Sequence, residues 1–184
     1  EKQEEVQFKD IFETFKKRIP WLLLLMVSAT FTGQIIGHFE EALNACTALT
    51  MFIPMLMDTG GNAGGQASVT IIRGLSLGEI GYKDIFRITW KEIRVATLCG
   101  VTLAVANFAK LMLFDKVGFM VSLVVCFTLA VTVLLSKAIG CTLPILAKKV
   151  GFDPAVMASP FITTIVDALS LIVYFQFAVK MLPL

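Results

Sequence analysis

AVMASPFITTIVDALSLIVYFQFAVKML, residues 155–182, is the stretch whose reading decides the fold. It exceeds the roughly 20 apolar residues that a helix needs to cross a bilayer. Its only charged residues are Asp167 near the middle and Lys180 near the end. A carboxylate at that depth costs about 3 kcal/mol or more on insertion scales, and it marks an ion path, a proton relay or a paired site. Ser159, Thr163, Asp167, Ser170 and Tyr174 follow one another at spacings of four and three. At about 100° per residue they share one helix face. Such a stripe reads either as polar groups satisfying one another in a helix bundle or as the wall of a cation pathway, and the intramembrane acid favours the wall.

The whole chain supports that environment. Of 184 residues, 57% are hydrophobic and 16% charged, with a mean hydropathy of +0.81. Soluble domains have about half apolar and about a quarter charged residues, so an all-α integral membrane protein in a lipid bilayer is predicted. A net charge of +2 and basic residues confined to loops leave no footprint for nucleic acid. Cys46, Cys99, Cys126 and Cys141 lie in apolar segments without metal-ligand spacing and read as small buried hydrophobes. The opening EKQEEVQFKD is too charged for a cleavable signal, and a first residue other than Met points to a piece of a longer protein.

Five spans are predicted. Residues 1–19 form a connecting segment in which Phe8, Ile11, Phe12, Phe15 and Ile19 recur at helical spacing, giving a short amphipathic helix over 6–19 along the membrane surface. Residues 20–184 form the transmembrane domain. The first span covers about 20–37, with Trp21 as an interfacial anchor and His38 at its outer end. The second starts near Ala42, and Pro54 kinks it ahead of a polar, glycine-rich half. A basic loop over 73–94 precedes the third span at about 95–114. The turn at 115–118 leads to the fourth at about 119–146, closed by Pro144, Lys148, Lys149 and Gly151. Asp153-Pro154 is a helix-start signal for the fifth. Twelve Lys and Arg fall on the amino-terminal side of the membrane and three (Lys110, Lys116, Lys180) on the other, with Lys137 left inside the fourth span. The positive-inside rule therefore puts the amino terminus in the cytoplasm and the carboxyl terminus outside, in a multi-pass cell-membrane protein.

In the second span Asp58, Asn62 and Gln66 are spaced by four, while Gly60/Gly64 and Gly61/Gly65 make two small-xxx-small pairs. Glycines alone would suit a packing seam. A carboxylate and an amide beside them suit a hydrated cation path, which needs oxygen acceptors and exposed carbonyls. Asp58, Gly61, Asn62, Gly65, Ser159 and Ser170 are therefore the candidate pore-lining residues.

The run PMLMDTGGNAGGQAS at 54–68, with Ile72-Arg73-Gly74-Leu75 and Gly78-Glu79-Ile80, resembles the signature of MgtE-type magnesium transporters. So does Asp153-Pro154-Ala155 through Ser159-Pro160-Phe161-Ile162-Thr163-Thr164 to Asp167. The resemblance covers essentially the whole chain. It implies a homodimer of five-helix subunits with a channel-like path between spans two and five of both copies. It implies that Asp167 faces a hydrated magnesium ion, the transported species, held in part by carbonyls near Thr163. Some relatives carry an amide where this chain has Ser159. The family's regulatory cytoplasmic domains have no counterpart in residues 1–184, so the gate of this chain alone is expected to be unregulated.

Magnesium prefers octahedral oxygen coordination and gives up water reluctantly, which suits one carboxylate per subunit plus carbonyls; soft metals would want Cys or His in the path. Two other functions fit parts of the sequence. One is a proton- or sodium-coupled divalent cation carrier with Asp167 as the coupling site. The other is an intramembrane aspartyl protease using Asp58-Thr59-Gly60 and Asp167, which lacks the Gly-x-Gly-Asp context around its second acid. A transporter and not an enzyme is predicted.

Overall fold

The computed structural model describes the backbone of residues 2–184 and the side chains of residues 10–155 and 160–184. Six α-helices carry the chain: α1 (Lys2–His38), α2 (Glu40–Ala45), α3 (Ile53–Ser76), α4 (Ile85–Lys110), α5 (Phe119–Val150) and α6 (Pro154–Met181). Short 3-10 helices at Thr47–Phe52 and Tyr82–Asp84 and a π-helical turn at Leu111–Asp115 join them. No strand occurs among the described residues. Among the described residues, four helical stretches are long and apolar enough to cross a membrane: Asp10–His38, Tyr82–Asp115, Phe119–Val150 and Pro160–Met181. The chain is an all-α, multi-pass membrane protein.

Helix α5 is the centre of the bundle, packed by α3, α4 and α6. Half of its most apolar window is buried, against 6% for α1. Its inward face carries small hydroxyl residues whose hydrogen bonds stay within the helix: Thr128 Oγ1 donates to Val124 O at 2.7 Å and Ser136 Oγ to Thr132 O at 2.6 Å. Those side chains therefore ask nothing of a neighbour, and backbones can approach closely. The tightest approach is between Gly140 of α5 and the Gly64 carbonyl of α3. An apolar core closes each end of the bundle. Leu49, Leu56, Val124, Leu171 and Phe175 fill one end, and Ile71, Leu75, Cys141 and Ile145 the other. Lys148 Nζ reaches across from α5 to donate to Leu75 O at 3.1 Å, satisfying a carbonyl at the negative end of α3. Helix α1 leans chiefly on α6, with Ser28 Oγ 2.9 Å from Thr164 Oγ1. Its Leu22, Met26 and Phe31 are exposed toward what would be lipid.

Several boundaries differ from those predicted. Pro20 starts no new element, since α1 runs unbroken from Lys2 to His38. Helix α5 runs through Pro144 and past the predicted end near residue 146 to Val150, and stops at Gly151, one of the predicted closing residues, with φ of 94°. A proline in a membrane helix deprives one carbonyl of its partner, a loss that surrounding helices absorb. The second span does not start as one helix at Ala42, because α2 and a 3-10 turn intervene. Pro54 sits in the first turn of α3, where its missing N–H is no loss, so it begins the helix instead of kinking it. The predicted basic loop over 73–94 is mostly helical: α3 continues to Ser76 and α4 begins at Ile85. Arg87, Lys91 and Arg94 are exposed on that helical start, and Arg94 lies over the Trp90 ring at 5.9 Å. Long basic side chains reach polar surroundings from a helix as readily as from a loop. The turn at 115–118 is as predicted, with Lys116 left-handed and Gly118 at φ 95°. Helix α6 starts at Pro154, with Asp153 Oδ1 accepting from Ala155 N at 3.0 Å. No disulfide forms among the cysteines, of which Cys126 and Cys141 are buried and Cys46 and Cys99 partly so.

Candidate functional site

Helices α3 and α6 pack side by side on α5, and two glycines fix their register. A Cβ on Gly60 would lie 2.7 Å from Val166 Cγ1, and one on Gly64 would lie 2.7 Å from Ile162 Cγ2. The helices therefore run antiparallel. Asp167 comes level with Thr59 and Gly60, and Thr163 comes level with Ala63 and Gly64.

The two glycine pairs part company here. Gly60 and Gly64 are buried against α5 and α6, whereas Cβ positions on Gly61 and Gly65 would meet nothing within 4 Å. One pair is a packing seam and the other is a bare backbone edge, open along the α6 side of the helix. The glycine-rich stretch remains a regular α-helix, so its carbonyls are engaged within the helix instead of being freed by a kink as the sequence implied.

Asp167 is partly buried and makes no hydrogen bond or ion pair among the described residues. Asp58 is exposed and likewise unpaired. Thr163 is exposed and keeps an interaction of its own. Ser170 is only 1% exposed, and Tyr174 is fully buried with its hydroxyl donating to Leu49 O at 2.7 Å. The predicted polar stripe thus turns from an open half at Thr163 and Asp167 into an interior half at Ser170 and Tyr174. The Ser159 side chain lies outside the described residues. A carboxylate without a cation in low-dielectric surroundings is an unmet demand for positive charge.

On its other flank α3 meets a second open surface. Thr59, Asn62 and Gln66 line a groove of about 450 Å³ with Leu98, Cys99, Thr102 and Leu103 of α4, floored by Val133 and Lys137 of α5. Asn62 is exposed and lies on the α4 side of its helix. Sequence reasoning left Lys137 without a partner. It pairs with Glu92 of α4 at 3.9 Å. The signal was an isolated lysine in one span and an acid early in another, 45 positions apart, which only the packing of α4 on α5 unites. No cluster of three or more His, Cys, Asp or Glu side chains able to hold a metal occurs among the described residues.

Comparison with known proteins agrees with this architecture. The family model described as "MgtE: Divalent cation transporter" matches residues 53–177. The magnesium transporter MgtE of Bacillus subtilis (strain 168) is 35% identical over 166 residues, covering 88% of this chain and 36% of that protein. The protein of the same name from Thermus thermophilus is 33% identical over 167 residues, covering 88% and 35%. The one from Enterococcus faecalis is 29% identical over 165 residues. The chain thus spans about a third of the length of the curated relatives it matches.

Proposed function

The chain belongs to the MgtE family of divalent cation transporters, and on that premise we propose that it passes hydrated magnesium ions across the cell membrane into the cytoplasm. The carrying observation is the unpaired, partly buried Asp167 carboxylate beside the bare Gly61–Gly65 edge of α3. Magnesium surrenders its waters reluctantly. A path with one fixed charge and a side-chain-free wall leaves room for the hydrated ion, and Asp167 offsets its charge.

In this reading α3 is the fifth span. Its 24 residues reach about 36 Å at ~1.5 Å per residue, enough for a ~30 Å hydrocarbon core. The path lies between two copies of the chain, because a single Asp167 and a few neutral oxygens are too few ligands for a divalent ion and two-fold symmetry doubles them. Asp167 and the backbone near Thr163 hold the ion. Asp58, Gly61, Asn62 and Gly65 line its way, Ser159 continues the α6 wall, and Ser170 supports Asp167 from inside the bundle. Residues 1–19 form the connecting helix and 20–184 the conducting domain, with the amino terminus cytoplasmic, the carboxyl terminus outside, and regulation supplied by cytoplasmic domains beyond this segment. The path is channel-like.

Asp167→Asn removes the charge and little else. In liposomes loaded with a magnesium dye, the variant should insert and dimerise yet lose nearly all magnesium uptake. Parental uptake by a dimeric Asp167→Asn protein would refute the assignment.

A further inference from the structure

The groove between α3 and α4 carries the oxygen-bearing side chains Thr59, Asn62, Gln66 and Thr102 among apolar ones. Asn62, which the path proposed above uses, lines this groove, so the groove is a side branch of that path. What sets it apart is its floor. Lys137 is 5% exposed, and apart from Glu92 no described residue accepts from its ammonium. Glu92 is not among the lining residues, while Lys137 is. Of the two charged side chains, only that of Lys137 borders the groove.

We infer that Lys137 is an electrostatic guard that bars divalent cations from the α3–α4 groove and so confines them to the Asp167 side of α3. Removing the ammonium while Glu92 stays ionised would leave an unpaired carboxylate near the oxygen-bearing side chains of the groove, a cation trap beside the path. A nearly desolvated charge acts there with little screening. Glu92 has the complementary task of keeping that ammonium ionised and held against α5 where it would otherwise be too costly to bury. The inference rests on the magnesium-path reading for its cargo, but its electrostatics can be read without any transport.

Cys99 lines the groove and supplies the reporter. In a Cys46→Ala/Cys126→Ala/Cys141→Ala protein in liposomes it is the sole thiol, open to methanethiosulfonates of positive, negative or no charge. The ratio of cationic to anionic labelling rates should be lowest in Glu92→Gln and rise through the parent and the neutral pair Glu92→Gln/Lys137→Met. It should be highest in Lys137→Met, with about tenfold or more between the extremes. With the neutral reagent, millimolar magnesium should protect Cys99 in Lys137→Met and leave the parent unprotected. If Lys137→Met fails to fold, the neutral pair still stands between the parent and any loss of charge selectivity. A ratio indifferent to these charges, a Cys99 that no reagent reaches, or equal magnesium protection in parent and variant would overturn the inference. None of these outcomes depends on the uptake of Asp167→Asn, so the two assignments fail separately.

Discussion

Replacing each of four glycines in α3 by alanine, one at a time, tests how the helix divides its faces. A Cβ on Gly60 would sit 2.7 Å from Val166 Cγ1, 2.9 Å from Thr132 Cγ2 and 3.3 Å from Ser136 Oγ. One on Gly64 would sit 2.7 Å from Ile162 Cγ2 and 3.2 Å from the Ser136 carbonyl, which cannot rotate away. Carbon atoms prefer separations of about 3.5–4.0 Å, so each substitution requires shifts of close to an ångström in a packed interior. Overpacking of that kind costs about 1–3 kcal/mol. At about 2–4 °C per kcal/mol for a chain of this size, the melting temperature in detergent should fall by roughly 2–12 °C. Gly61→Ala and Gly65→Ala meet nothing within 4 Å and replace a poor helix former by the best one. Their melting temperatures should hold or rise. Gly61→Val, also harmless to the single chain, should reduce magnesium uptake by placing a branched side chain in the path. Fluorescence-detected size exclusion after heating gives the stability order, and dye-loaded liposomes give the flux. If Gly61→Ala loses as much stability as Gly60→Ala, the two pairs do not face opposite ways. If a dimeric Gly61→Val conducts like the parent, the bare edge of α3 is not part of the path.

Three further outcomes follow from individual contacts. Tyr174→Phe removes the donor to the Leu49 carbonyl at 2.7 Å, and thermal unfolding should register a loss of about 1 kcal/mol or somewhat more, with uptake rates preserved. Glu92→Gln leaves the buried Lys137 ammonium alone and Lys137→Met leaves the partly buried Glu92 carboxylate alone, so each should lower stability, the former more, whereas the double neutral variant should recover most of the loss; equal losses in all three would mean that the 3.9 Å pair is not coupled. Ser28→Ala should cost only about 0.6 kcal/mol, the average for hydrogen bonds between membrane helices, and a double-mutant cycle with Thr164→Ala measures the part due to the α1–α6 contact.

Much of this arrangement could be read from local spacing. The Asp153-Pro154 start, the turn at 115–118 and the exposed row Asp58, Asn62, Gln66 depend on neighbours in the chain, and each has its expected place. Helix continuity through Pro20 was hidden because proline's cost depends on whether other helices shelter the freed carbonyl. The partition of the glycines was hidden for a related reason. Gly60 and Gly61 differ by one step of 100°, and only the positions of α5 and α6 decide which of them is covered. Ser170 and Tyr174 lie on the predicted polar face, but a helix face does not report how deeply each turn sinks into the bundle. The Glu92–Lys137 pair required the crossing of α4 over α5, which no spacing encodes.

Helix α3, absent from the apolar spans, is also the helix with the glycine-rich polar segment, and one cause accounts for both. Hydropathy measures fitness for contact with lipid, and α1, whose apolar window is 6% buried, meets it with exposed Leu22, Leu23, Met26 and Phe31. Helix α3 is covered by α5 and α6 along Gly60, Ala63, Gly64, Ala67 and Ile71, so that side is selected for smallness instead of apolar bulk. Its remaining side carries Asp58, Asn62 and Gln66, which lipid would reject. Neither face is therefore built for hydrocarbon. A 24-residue helix with one side fitted to its own bundle and the other polar, flanked by helices that are apolar enough to cross, must keep its polar side out of hydrocarbon. The same residues that remove α3 from a count of apolar spans are those that make an aqueous wall possible at its depth.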